Sequence, residues 1–167
     1  PVAVTYRLAT PSSIPLPAEL LDASGAIPMD DSGTFVNYGT GLQNLNAYLR
    51  RQLGSAYRPE AYYLVFAGAP ASNGLAGFMP LARQFGYVFR DGREEHKGAL
   101  AATAAHELGH GIFMLEHPFT RYAIPQSATD WLMDYGGGLA LPHVHWSQIY
   151  DPELRLYLFQ EDEEGGR

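Results

Sequence analysis

His106-Glu107-Leu108-Gly109-His110 sets two imidazoles four residues apart, with a carboxylate beside the first. On an α-helix, positions i and i+4 share a face, so both rings can approach one point. Neutral imidazole nitrogen is a good donor to Zn²⁺, at about 2.0–2.1 Å. Glu107 projects toward the same edge of the helix, within reach of a water on that metal. The metal lowers the pKa of its water and the carboxylate takes the proton, so hydrolysis is the expected chemistry.

A catalytic zinc usually takes three protein ligands and keeps a fourth position for water. Two residues compete for the third place: Glu116, six residues after His110, and His117, seven after it. Imidazole suits zinc, and Pro118 fixes the chain direction just beyond, which favours His117. A His₂Glu set is also ordinary zinc chemistry, which keeps Glu116 as the alternative. Farther on, Trp131-Leu132-Met133-Asp134-Tyr135 runs into three glycines. Met133 and Tyr135 there read either as support and catalysis for the site or as ordinary core, since methionine fills irregular gaps.

These residues need a rigid carrier. The alanine-rich run Ala99 to Ala105 leads into the two histidines, and Gly98 and Pro118 bound it, which predicts a helix. Ala101, Ala104, Ala105 and Leu108 are predicted to form a small-residue face on a sheet. Tyr62–Phe66 and Phe85–Phe89 read as strands, and the Phe78–Phe89 region is expected to supply the cleft edge that a peptide joins by strand addition. Leu42, Leu45, Leu49 and Leu53 share one helical stripe, which predicts an amphipathic helix over Thr40–Leu53. Val2–Leu8 alternates like a strand, and the prolines between Thr10 and Pro28 read as a loop around a short helical turn. Gly68–Gly77 reads as a loop, and Trp146–Phe159 as a C-terminal helix broken near Pro152. His143 and His145 would share one side of a strand, as cleft-wall or structural residues; His96 falls in a charged, solvated loop.

In this order the residues resemble the zincin metallopeptidases, and within them the metzincins, whose pattern H-E-x-x-H-x-x-G-x-x-H precedes a methionine-bearing turn. Two positions depart from it: Phe113 stands at the glycine, and Glu116 at the third histidine, with His117 one residue later. The resemblance implies an α+β, zincin-like fold: a mixed twisted sheet, an active-site helix and a C-terminal Met-turn subdomain. It also implies Zn²⁺ on His106, His110 and His117, with Glu107 as general base and Met133 beneath the metal. Tyr135 would be a ligand or a hydrogen-bond donor to the tetrahedral intermediate.

The stretches GFMPLARQFGYVF, HELGHGIFMLEHPF, LMDYGGG and HWSQIYDPE further resemble peptidase-like domains at the ends of large bacterial proteins, many of them similar to toxin modules passed between competing cells. This likeness spans 61–153 and leaves residues 1–60 untouched. It implies a metalloendopeptidase secreted, or delivered into a target cell, as part of a larger protein. A peptide or protein would be its substrate, and an immunity or inhibitor protein its partner. The alternatives are a zinc amidase acting on a non-protein substrate such as peptidoglycan, and a zinc-binding module without turnover. Deformylases share H-E-x-x-H but use a cysteine ligand, and this chain has no cysteine.

Composition sets bounds. A chain of 167 residues with 46% hydrophobic content suits a single domain, 1–167, with 161–167 as an acidic, disordered tail. Eleven Tyr and eight Phe suit a sheet-rich scaffold with an aromatic cleft. A net charge of −7 argues against nucleic acid as the main partner. The lack of cysteine removes disulfides and thiolate chemistry. No run reaches the roughly 18 apolar residues of a membrane helix, and no charged leader opens the chain.

Overall fold

A computed structural model describes residues 7, 13–29, 37–89 and 97–151. Helix α1, Thr40–Leu53, forms where the leucine stripe predicts it, and Leu42, Leu45, Leu49 and Leu53 are all buried. Gly54 ends it in the left-handed region, φ +51°, a conformation that costs glycine least. Full burial of each leucine stabilises by about 1.5–3 kcal/mol, far more than helix propensity alone provides.

Three strands follow: β1 (Tyr63–Ala67), β2 (Gly77–Phe78) and β3 (Phe85–Phe89). Their order is β1-β3-β2, with β1 parallel and β2 antiparallel to β3. The register sets Tyr63 beside Phe85 and Ala67 beside Phe89 on one side, and Gly77 beside Val88 on the other. β3 is therefore the central strand, and all five of its residues are buried. Phe85, Tyr87 and Phe89 join Leu42, Leu45 and Leu49 of α1 and Ile27 in one apolar cluster. The Tyr87 hydroxyl donates to the buried Asn46 side chain on α1, which pairs the two polar groups of that layer.

Helix α2, Lys97–Phe113, packs on the other side of β3 and β2. Met79 fills the space between Gly86 on β3 and Gly111 on α2. After α2 come α3 (Pro118–Arg121), a loop closed by an isolated bridge between Trp131 and Ala140, and α4 (His143–Tyr150). The architecture is mixed α+β. No helix among the described residues is long and apolar enough to cross a membrane.

Several expectations are corrected. The strand at Tyr62–Phe66 lies one residue later. Of the region Phe78–Phe89, Phe78 lies on the edge strand β2, whereas β3 is paired on both sides and offers no free edge. Ala101 and Ala105 are exposed, so the sheet is met instead through the α2 face that carries Glu107 and Gly111. His143 and His145 lie on a helix, where a two-residue spacing separates them: His143 is exposed and His145 fully buried. The last helix begins at His143 rather than Trp146, and residues beyond 151 lie outside the described part. So do the strand expected at Val2–Leu8 (Arg7 apart), the charged loop around His96 and the tail 161–167.

Candidate metal centre

α2 carries His106, Glu107 and His110 near its C-terminal end, all buried. The helix ends at Phe113, and Met114 takes a left-handed conformation, φ +53°. That residue turns the chain so that the Leu115 N–H returns to the Gly109 carbonyl at 3.1 Å. His117 follows in extended conformation as the residue before α3, and Pro118 starts that helix. The reversal brings His117 back over the two helix histidines.

The three Nε2 atoms form a nearly equilateral triangle: 3.0 Å from His106 to His117, 3.1 Å from His110 to each of the others. Ideal tetrahedral zinc would separate such nitrogens by about 3.3–3.4 Å, so the triangle is slightly tight but of the right kind. Among the described residues, this is the group of side chains close enough to hold a metal ion.

The tautomers strengthen that assignment. His106 Nδ1 lies 2.7 Å from the Leu132 carbonyl, and His110 Nδ1 lies 2.6 Å from the Leu115 carbonyl. A carbonyl can only accept, so each Nδ1 must carry the proton. A neutral ring then turns a bare Nε2 lone pair inward. Burial and the neighbouring His117 bring His106 down to about 4, against the pull of the Leu132 bond. Burial, with His106 and His117 beside it, pushes His110 well below its ordinary value. Both rings are therefore neutral near pH 7, and two lone pairs face each other at 3.1 Å. Facing lone pairs repel, and a cation between them converts repulsion into coordination. Fixing Nδ1–H on a backbone carbonyl is how metal-binding histidines are commonly oriented.

The chain reverses at Met114, four positions after His110 and three before His117. Glu116 lies outside the histidine group, and its carboxylate meets Arg121 Nη1 at 3.4 Å.

The segment from Ser127 to Tyr135 approaches the triad from the far side. Leu132 supplies the carbonyl for His106, while its own N–H donates to Ala140 O at 2.8 Å. Met133 is fully buried. Its sulfur lies 2.6 Å from where a Cβ on Gly109 would stand, so glycine at 109 is what lets the methionine pack this close to α2. The Tyr135 ring lies 4.8 Å from His117 and 5.9 Å from His106, centroid to centroid. Phe119 stacks on His117 at 4.7 Å.

Asp134 organises this segment. Its carboxylate accepts from the Ser127, Thr129 and Tyr135 N–H groups and from the Thr129 hydroxyl, at 2.8–2.9 Å. Burial would raise its pKa, but these donors together outweigh burial and hold it below the usual 3.8. In the sequence Asp134 is marked only by its place between Met133 and Tyr135. The Leu115 and Leu132 carbonyls carry no side-chain signal at all.

His145 stands apart from the triad, boxed by Tyr122 and Trp131 at ring distances of 6.3 and 5.4 Å. Burial brings it down to about 4. It serves the interior of the fold and belongs to no metal group among the described residues.

No protein-family model, curated protein or solved structure matches the chain significantly. The functional reading therefore rests on the geometry of these residues.

Proposed function

We propose that the chain is a zinc-dependent metalloendopeptidase, as the resemblance to metzincins implies. The observation that carries this reading is the inward-facing Nε2 triangle of His106, His110 and His117, with the buried Glu107 adjacent on the same helix. Bound Zn²⁺ would supply Lewis acidity and a water acidified toward neutral pH.

The protein's own groups do the rest. The Leu132 and Leu115 carbonyls hold the His106 and His110 rings in the tautomer that offers Nε2. Glu107 takes a proton from the attacking water and passes it to the leaving amine. Tyr135, beside His117, donates a hydrogen bond to the oxygen on which charge develops. Met133, packed against Gly109 of the same helix, would support the histidines from below. A peptide or protein is the substrate. As a delivered bacterial effector, the domain would be matched by an immunity protein that blocks this site.

A second reading has its own support. The triad and Glu107 are each no more than 9% exposed, as in a closed structural site. A zinc-binding module without turnover fits that burial, but it has no use for a carboxylate beside the ligands. Incubation of the zinc-loaded protein with denatured casein and a mixed peptide library separates the two. Cleavage abolished by a chelator and restored by zinc supports the peptidase. Stoichiometric zinc with no cleavage of any peptide favours the module.

A further inference from the structure

The edge strand β2 packs against α2, the helix that carries His106 and His110. Gly77 is buried and pairs with Val88 of β3. Successive residues of a strand face opposite ways. Phe78 packs against the α1-side cluster, with Tyr38 edge-on to its ring at 6.5 Å. Gly77 therefore faces α2, and the side chain it lacks would enter the space held by Glu107. A Cβ built there would stand 2.4 Å from Glu107 Oε1 and 2.8 Å from both Cδ and Cγ. The backbone of the edge strand thus forms one wall of the Glu107 carboxylate site.

We infer that Gly77 is a positioning residue for Glu107: the bare backbone at this point of β2 sets where the carboxylate lies. The inference rests on the hydrolytic reading of Glu107 given above. The collision that any side chain at 77 creates is with the Glu107 side chain, from Cγ to Oε1, and not with backbone. The carboxylate yields before the backbone does, so a methyl at this position moves the base and leaves the fold standing. The backbone conformation of Gly77 is not left-handed, so alanine can adopt it.

The test is Gly77→Ala, with Glu107→Ala and the double variant, all zinc-loaded. Two quantities are read. The first is the ¹³C resonance of the Glu107 side-chain carboxyl, assigned by its loss in Glu107→Gln and followed through a pH titration. The second is the pH profile of peptide hydrolysis. In Gly77→Ala the Glu107 resonance should shift and its titration midpoint should move, with zinc content unchanged. The turnover number should fall at least about tenfold, out of the roughly 10²–10⁴ a positioned base contributes, while KM stays within about twofold. The acidic limb of the profile should move with it, and in the Glu107→Ala background the second substitution should change nothing.

An unmoved Glu107 carboxyl resonance and an unchanged rate in Gly77→Ala overturn the inference. If the wild type cleaves nothing, the hydrolytic reading fails, and the position of the Glu107 carboxyl resonance decides whether Gly77 sets the position of Glu107. If Gly77→Ala does not fold, the double variant decides. Folding rescued by removal of the Glu107 side chain supports the contact, and failure of both overturns it.

Discussion

Replacing Asp134 with alanine should both loosen the protein and disturb the metal site, although Asp134 is not among the proposed ligands. Its carboxylate accepts three backbone N–H groups and one hydroxyl, and the residue is 4% exposed. The three N–H groups are only part-buried, so each left without its acceptor costs toward the low end of about 1–3 kcal/mol. Thr129 can rotate to another partner, and water entering the space recovers part of the remainder. A loss of about 2–3 kcal/mol is expected. Asp134→Asn keeps the shape but turns an NH₂ toward one pair of donors, so about half of that loss is expected.

The consequence for the site follows from chain connectivity. Leu132, two residues before Asp134, orients His106, and Tyr135, one residue after, lies beside His117. Zinc affinity should therefore weaken by about 10–100-fold, the usual effect of disturbing an outer-shell partner. Urea unfolding of the chelator-treated protein gives the stability change, and competition with a fluorescent chelator gives the affinity. The charge adds a pH dependence. The folded pKa of Asp134 is held below 3.8, so its contribution is full above that value and is lost as pH falls through the lower folded one. An Asp134→Ala variant as stable as the wild type and with the same zinc affinity would falsify the reasoning that this carboxylate holds the turn.

Glu107→Gln should retain about one zinc per chain, within the spread of wild-type measurements, and lose hydrolysis by at least about 10²; undiminished activity would remove Glu107 as the base. Tyr135→Phe should lower turnover by about 10–10³ with zinc content unchanged, and an equal rate would take the tyrosine out of the mechanism. Gly109→Ala should cost about 1–3 kcal/mol, because its methyl meets the Met133 sulfur at 2.6 Å. The same substitution in a Met133→Ala background should cost markedly less, and equal costs in both would contradict the contact. His145 is buried neutral, with its pKa lowered from 6.5 to about 4. Its share of stability is present above 6.5 and declines as pH falls toward 4, by about 3 kcal/mol in all. Acid unfolding curves that coincide for wild type and His145→Leu would show that this imidazole carries no such share.

Some of this architecture was legible in the residues because local physics dictated it. The leucine stripe of α1 and the alanine-rich approach to His106 specify helices by period and propensity, and each formed close to the expected bounds. The choice of His117 over Glu116 followed from donor chemistry, and the structure brings His117 to the other two histidines. What escaped depends on long-range pairing. No local pattern says that Phe85–Phe89 takes the centre of the sheet and leaves the edge to Gly77–Phe78. The register of that two-residue strand is set by its pairing with β3, which no local pattern in Gly77–Phe78 announces. His143 and His145 were misplaced because alternating apolar and polar residues suit a strand, whereas Pro142 opens a short helix there. The left-handed turn fell on Met114, where no glycine marks it.

The central claim is that three histidines hold one metal ion, and the most direct measurement is metal content per chain. Wild type, His117→Ala and Glu116→Ala should be loaded with zinc, dialysed and subjected to elemental analysis. The expected result is about one zinc in wild type and in Glu116→Ala, and little in His117→Ala, since a structured site needs its full ligand set. No zinc in the wild type, or undiminished zinc in His117→Ala, would contradict the three-histidine centre.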